Sequence, residues 1–253
     1  MEYFTRISTI LFLLVTGCYA NTSGLNLKNG SSPVLLYAKG LSSLKSGDYD
    51  VATEAFDAVL RQPAKAVGNF YLLTTLRSGD LLFAQAHYAQ AQVRYKRVID
   101  SVQGQTQLPN IDYALFRLAQ SHWMAKGESF FLVPPVDRRD QSEVNAAYRL
   151  TSRFITEYPN SPYINDVISL HKKIVNTKIS FEMEVARFYM VRHKPLGAIS
   201  RLEWLLDKVP DSRHNKRVVR MYLKALKIAG KKDVMQRKCI EFQDVLGKSV
   251  CKG

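Results

Sequence analysis

No apolar stretch of this chain is long enough to cross a bilayer as a helix: the run from Ile7 to Val15 has nine residues, where a span needs roughly 20. Nor does any stretch alternate apolar and polar residues between hairpin turns, which argues against β-structure. HExxH, GxSxG, Walker A and GxGxxG are all missing, and the five histidines, His87, His122, His171, His193 and His214, stand at no metal-ligand spacing. Metal, nucleotide and triad chemistry therefore have no sequence footing. Acidic residues are scarce, 22 against 36 Lys and Arg, a net charge of +14. Such a surface favours acidic partners or anionic headgroups. There are three cysteines, Cys18, Cys239 and Cys251.

The short apolar run reads as the core of a signal peptide. It ends in Val15-Thr16-Gly17-Cys18, small residues followed at once by a cysteine. That resembles the lipobox of bacterial lipoproteins and implies cleavage before Cys18, a diacylglycerol thioether on Cys18 and an N-acyl chain such as palmitate. Anchoring, and not spanning, is the mode expected. An ordinary secretory signal with a chance cysteine is the competing reading, and the single Arg6, offset by Glu2, favours it. Tyr19 follows the cysteine where retention would call for Asp, so by lipoprotein sorting rules the outer membrane is the implied destination. Removing residues 1–17 deletes one acid and one base and leaves the net charge at +14. Residues 19–33 are polar and rich in Gly, Ser and Asn, a flexible tether with a reach of roughly 20 Å. Nucleic acid is not expected as a partner outside the cytoplasm.

From Val34 onward helical periodicity with short breaks dominates, so the chain is expected to be all-α. Gly40, Ser46-Gly47-Asp48-Tyr49, Ala52, Phe56, Val59 and Pro63 follow the tetratricopeptide pattern. Small residues let two antiparallel helices approach, and aromatics fill the space towards the next repeat. Ala147, Phe154, Pro159-Asn160-Ser161 and Ala198, Leu205, Pro210-Asp211-Ser212 repeat it, with proline twelve residues after alanine in both. Ser161-Pro162 and Asp211-Ser212 read as caps of the helices that follow. A less regular copy has Ala91, Tyr95 and Val98 after a turn near His87; a rival reading puts the turn at Ser78-Gly79-Asp80. The expected architecture is an α-solenoid of about five helix pairs: a signal peptide (1–17), a tether (18–33), N-terminal repeats (34–126), an insertion (127–143) and C-terminal repeats (144–250). A second insertion is expected at 101–112. Residues 163–193 contain no Pro or Gly up to Arg192 and suggest one long helix of roughly 45 Å.

Ser42-Ser43-Leu44-Lys45 matches the S-x-x-K motif of penicillin-interacting enzymes. It falls inside an expected repeat helix, and neither S-D-N nor K-T-G follows, so no catalytic activity is expected. Cys239 and Cys251 could pair in an oxidising compartment; two unpaired thiols is the reading slightly preferred. The segment Glu128 to Gln141 holds Phe130, Phe131, Leu132 and Val133 beside two prolines and either tucks over the core or offers an apolar contact, with tucking favoured. The basic runs Arg213 to Arg220 and Lys224 to Lys238 are either a partner surface or a solvated helix face.

The order of Pro109-Asn110-Ile111-Asp112-Tyr113-Ala114, Val136-Asp137-Arg138-Arg139-Asp140, Phe154, Tyr158-Pro159-Asn160-Ser161-Pro162-Tyr163 and Val185-Ala186-Arg187-Phe188-Tyr189 resembles the BamD/ComL family over about residues 34–232. The resemblance implies a lipoprotein of the outer-membrane β-barrel assembly complex, facing the periplasm. It implies binding of a BamA-type barrel subunit through its POTRA domains, of unfolded outer-membrane proteins in an N-terminal groove and, where present, of other assembly lipoproteins. Arg201, in Ser200-Arg201-Leu202-Glu203, matches an arginine that faces the barrel subunit in the family, so Arg201 and Glu203 are the candidate partner contacts. Tyr37, Tyr71 and Tyr88 are the candidate groove contacts, with core burial the competing reading. No metal or cofactor beyond the lipid on Cys18 is implied. A different periplasmic tetratricopeptide lipoprotein, an adaptor in cell division or peptidoglycan assembly, is the alternative.

Overall fold

A computed structural model describes residues 32–101, 111–127 and 140–247. Among these the helices are α1 (Pro33–Ser46), α2 (Tyr49–Leu60), α3 (Ala64–Val67), α4 (Asn69–Ala84), α5 (Tyr88–Ser101), α6 (Ile111–Ala125), α7 (Ser142–Glu157), α8 (Ile164–Val191), α9 (Pro195–Lys208), α10 (Lys216–Ile228), α11 (Lys232–Glu241) and α12 (Gln243–Leu246), with a 3-10 turn at Pro210–His214. Five antiparallel pairs result: α1/α2, α4/α5, α6/α7, α8/α9 and α10/α11. The first helices of successive pairs, α1, α4, α6, α8 and α10, also touch one another, which puts them on the inner side of the bend. This is the all-α repeat solenoid expected. Of the insertion expected at 127–143, Ser142 and Glu143 open α7 and 128–139 lie outside the described residues; Ala119 of α6 packs against Val144 and Ala147 of α7 in the third pair.

One backbone device closes four of the pairs. Five residues ahead of Ala52, Ala91, Ala198 and Met235 stand Gly47, Ala86, His193 and Gly230, with φ of 80°, 59°, 55° and 73°. Each ends the preceding helix in the left-handed conformation, and the following residue reaches back to a free carbonyl: Asp48 N–H to Ser43, His87 to Leu82, Lys194 to Tyr189 and Lys231 to Leu226, at 2.8–3.0 Å. Carbonyls at a helix end need such partners, and glycine supplies the conformation without strain. The turn of the second pair is therefore at His87. Gly79 lies inside α4, and its role matches that of Gly40: a Cβ on Gly40 would stand 2.3 Å from the Phe56 ring, and one on Gly79 2.8 Å from the Tyr95 ring. Both glycines exist to admit an aromatic ring from the second helix.

Three local expectations are corrected. Ser161-Pro162 does not cap α8, whose N-cap is Tyr163 with no side-chain cap. Asp211-Ser212 does not cap α10; these residues lie in the 3-10 turn, where Ser212 Oγ donates to the Leu205 carbonyl at 3.1 Å. The cap is Asn215, whose Oδ1 accepts from the N–H groups of Arg217 (3.0 Å) and Val218 (3.4 Å). Cys239 is not a free thiol: it is disulfide-bonded, and it is buried beside Phe242 and Leu246. Cys18, Cys251, residues 18–31 of the expected tether and the Phe130–Val133 run lie outside the described residues, while Pro33, placed at the tether's end, instead opens α1. Helix α8, at 28 residues roughly 42 Å long, runs unbroken from the third pair to the fifth.

Candidate functional site

Two buried charged centres organise the solenoid, one in each half. In the N-terminal half the carboxylate of Asp80, on α4, is 8% exposed and fully bonded. Its Oδ1 accepts from the hydroxyls of Tyr95 (2.7 Å) and Tyr113 (2.9 Å) and from Arg117 Nε (3.3 Å). Its Oδ2 accepts from Arg77 Nη1 at 2.8 Å. The Arg117 guanidinium also lies 3.9 Å from the Phe83 ring centroid. Burial, followed by the Asp80 charge, raises the phenol of Tyr95 and pushes that of Tyr113 up to about 12. Helices α4, α5 and α6 are thereby joined through one acid.

Two of the segments that carry the family resemblance meet beside this centre. Ser161 Oγ donates to Asp112 Oδ2 at 2.7 Å, and the Tyr163 ring lies 5.3 Å from that of Tyr113 and stacks on Phe116 at 5.6 Å. Residues 111–116 and 158–163, distant in the chain, thus form one joint between α6 and the start of α8. The sequence does not single out Asp80, because Ser78-Gly79-Asp80 has the look of a turn; the aromatic-accepting glycine one position earlier is the signal that points to it.

The groove candidates are spread over separate contacts, and each is half-buried. Tyr37 sits edge-on to Phe70 at 5.6 Å and tilted against Phe56 at 6.4 Å. Tyr71 packs on the cluster of Leu36, Val59 and Val67. Tyr88 meets Phe83 edge-on at 5.2 Å at the α4/α5 turn. Ser42 and Lys45 are both exposed on α1.

In the C-terminal half Arg201, on α9, has a side chain 43% exposed, with Nη1 3.6 Å from Oε2 of Glu182 on α8. Glu182 is 5% exposed, and its Oε2 accepts no hydrogen bond. Burial raises its pKa against the opposing pull of Arg201 and Lys178. Lys178, one turn earlier, is lowered by burial; it donates to the Asn145 side-chain carbonyl and lies over the rings of Tyr148 and Trp204 at 5.2 and 5.3 Å. Trp204 itself is 41% exposed. The arginine is thus held loosely at the surface by a buried carboxylate, beside an exposed indole. Glu203 faces elsewhere: it accepts the Tyr222 hydroxyl at 2.8 Å and ties α9 to α10.

A family model, YfiO, described as outer membrane lipoprotein, matches residues 30–239. The outer membrane protein assembly factor BamD of Haemophilus influenzae is 28% identical over 204 residues, covering 79% of this chain and 74% of that one. BamD of Vibrio cholerae is 24% identical over 241 residues, 94% and 96% of the two chains. Among solved structures, the nearly identical TPR-like repeats of a putative kinesin light chain from Podosopora anserina are 16% identical, with a TM-score of 0.39, covering 87% of this chain and 98% of that one.

Proposed function

Because this chain belongs to the YfiO family of outer membrane lipoproteins, we propose that it is a non-catalytic adaptor in the assembly of outer-membrane β-barrel proteins. The observation that carries this reading is the family match, which runs through all five helix pairs. The BamD relatives are named for that role. In this reading Cys18 carries the diacylglycerol and N-acyl chains that hold the protein on the periplasmic face of the outer membrane, and the tether lets the solenoid reach its partners. Among the described residues no helix is long and apolar enough to cross a membrane, which suits an anchor of this kind.

Docking on the POTRA region of a BamA-type barrel subunit is assigned to the face around Arg201. A half-exposed guanidinium beside an exposed tryptophan has the composition of an interface hot spot. Among the described residues its one ion-pair partner stands 3.6 Å away, so an incoming carboxylate can take two of its donors without breaking a short bond. Glu203 serves this face indirectly, by fixing α9 against Tyr222. Unfolded outer-membrane proteins are assigned to the N-terminal repeats, with Tyr37, Tyr71 and Tyr88 as candidate contacts, and other assembly lipoproteins, where present, to the remaining surface.

The test is purification of the tagged protein from detergent-solubilised membranes, wild type beside Arg201→Glu, with mass spectrometry of what accompanies it. A POTRA-bearing barrel protein should accompany the wild type and be lost at least tenfold from the variant, the scale of a truncated hot spot. Recovery of peptidoglycan or division proteins, with no such barrel, would replace this reading by the alternative adaptor role.

A further inference from the structure

The solenoid's last pair carries an excess of charge of one sign, most of which has no ion-pair partner among the described residues. Between Arg213 and Lys238 lie ten of the 36 Lys and Arg, with Asp233 the one acid among them. Five of the ten, Lys216, Arg217, Arg220, Lys224 and Lys227, are exposed on α10. At 100° per residue they occupy an arc of about 100°, over a length of roughly 17 Å. The opposite face, Val218, Val219, Tyr222, Ala225 and Leu226, is buried, so the cations are held on the outside by packing. None of the five makes an ion pair among the described residues, whereas Arg213 and Lys238 near them both pair with Glu241. Ile228 lies at the edge of the same arc and is 56% exposed.

We propose that this face of α10 binds the anionic phospholipid headgroups of a bilayer, as a second point of membrane contact in the solenoid's last pair, at the end opposite α1. A terminal repeat needs a polar outer face for solubility, but mixed charges serve that end, and a single-sign field costs self-repulsion. Composition separates a bilayer from an acidic protein as the occupant. Protein interface centres are rich in Trp, Tyr and Arg and poor in Lys. Here three of the five cations are lysines and no aromatic residue shares their exposed arc; the Arg201 face, with Trp204, has the opposite character. Flexible lysines on a straight helix flank suit a fluid layer of phosphates, where each cation strengthens attachment about fivefold. One lipid anchor on a tether with a reach of roughly 20 Å fixes position but not orientation; a contact at α10 would hold the long axis of the solenoid along the membrane surface.

The inference rests on the outer-membrane location proposed above, and the two fail separately: palmitate labelling at Cys18 reads the anchor, vesicle binding reads α10. The measurement is co-sedimentation of the secreted chain carrying Cys18→Ser, so that acyl chains do not mask the contact, with vesicles of phosphatidylethanolamine and phosphatidylglycerol against vesicles of phosphatidylcholine. Binding to the anionic vesicles that weakens with added salt is expected. The triple variant Lys216→Gln, Arg220→Gln, Lys224→Gln should lose about a hundredfold in affinity with its circular dichroism unchanged. Lys65→Gln, Lys96→Gln, Arg97→Gln, equal in charge but placed in the N-terminal repeats, should keep it. Equal losses in both triple variants would reduce the effect to net charge and overturn the proposal. So would indifference to headgroup charge, or capture of an acidic protein by this face with no vesicle binding.

Discussion

Asp80 and Glu182 are both nearly buried carboxylates on the first helix of a pair, each facing arginine, yet their surroundings are opposite. Asp80 receives four donors on its two oxygens, from residues on α4, α5 and α6. Glu182 has an oxygen without a hydrogen bond and an arginine at 3.6 Å. A fully satisfied buried charge fixes the helices around it, and removing it strands the partners. A poorly satisfied one contributes little to folding and leaves its arginine available. The N-terminal half is thus locked by its acid, while the C-terminal half uses its acid to hold a side chain towards the surface.

The largest effect should come from neutralising the two acids in turn. Asp80→Asn is expected to destabilise by about 3 kcal/mol, because it leaves Arg77 and Arg117 without a counter-charge; urea unfolding measures this. Glu182→Gln should behave in the reverse sense. Since the folded-state pKa of Glu182 is raised from 4.5, its contribution to stability is full below that value and declines as pH rises through the folded value. The variant should therefore be no less stable than wild type at pH above neutrality and lose any advantage in acid. A drop in its melting temperature at alkaline pH equal to that of Asp80→Asn would erase the distinction between the halves.

A smaller effect concerns where the two halves admit their aromatic rings. In the first two pairs the glycine is on the first helix and the ring on the second. In the fourth pair this is reversed: a Cβ on Gly197 of α9 would stand 2.6 Å from the Tyr189 ring of α8. Phe56 is buried, 1% exposed, and has nowhere to go, whereas Tyr189 is half-buried and can swing outward. Gly40→Ala should cost about 2 kcal/mol and Gly197→Ala distinctly less, as read by thermal unfolding.

The smallest effect tests what the halves share. Ala86 and His193 hold the left-handed turn position that Gly47 and Gly230 fill without strain. Ala86→Gly and His193→Gly should each stabilise by about 0.5 kcal/mol, the relief of left-handed strain less the greater entropy of glycine. Unequal gains would mean that the two turns are not the same device.

Much of this architecture was legible without coordinates. Helical periodicity, the recurring alanine-to-proline spacing and the uninterrupted run that becomes α8 are local properties, and local properties suffice to choose helix over strand and to count pairs. The order of short motifs was enough to point to the family, and the basic run at α10 was visible as a run. Asp80 is not singled out by the sequence, because a Ser-Gly-Asp triplet has the chemistry of a turn and three of its four partners lie 15 to 37 residues away. The cap of α10 was placed at Asp211-Ser212 for a similar reason: both sets of residues suit a helix start, and the 3-10 turn that separates them is set by Ser212 reaching back to Leu205. Glu182 could not be connected to Arg201 at all, since the contact exists only once α8 and α9 fold back on each other. Pattern and composition decide what each segment becomes, because backbone hydrogen bonds and apolar faces are settled within a few residues. Which charges are buried, and which stay available to a partner, depends on donors brought from other helices, and their supply is fixed by the three-dimensional fold.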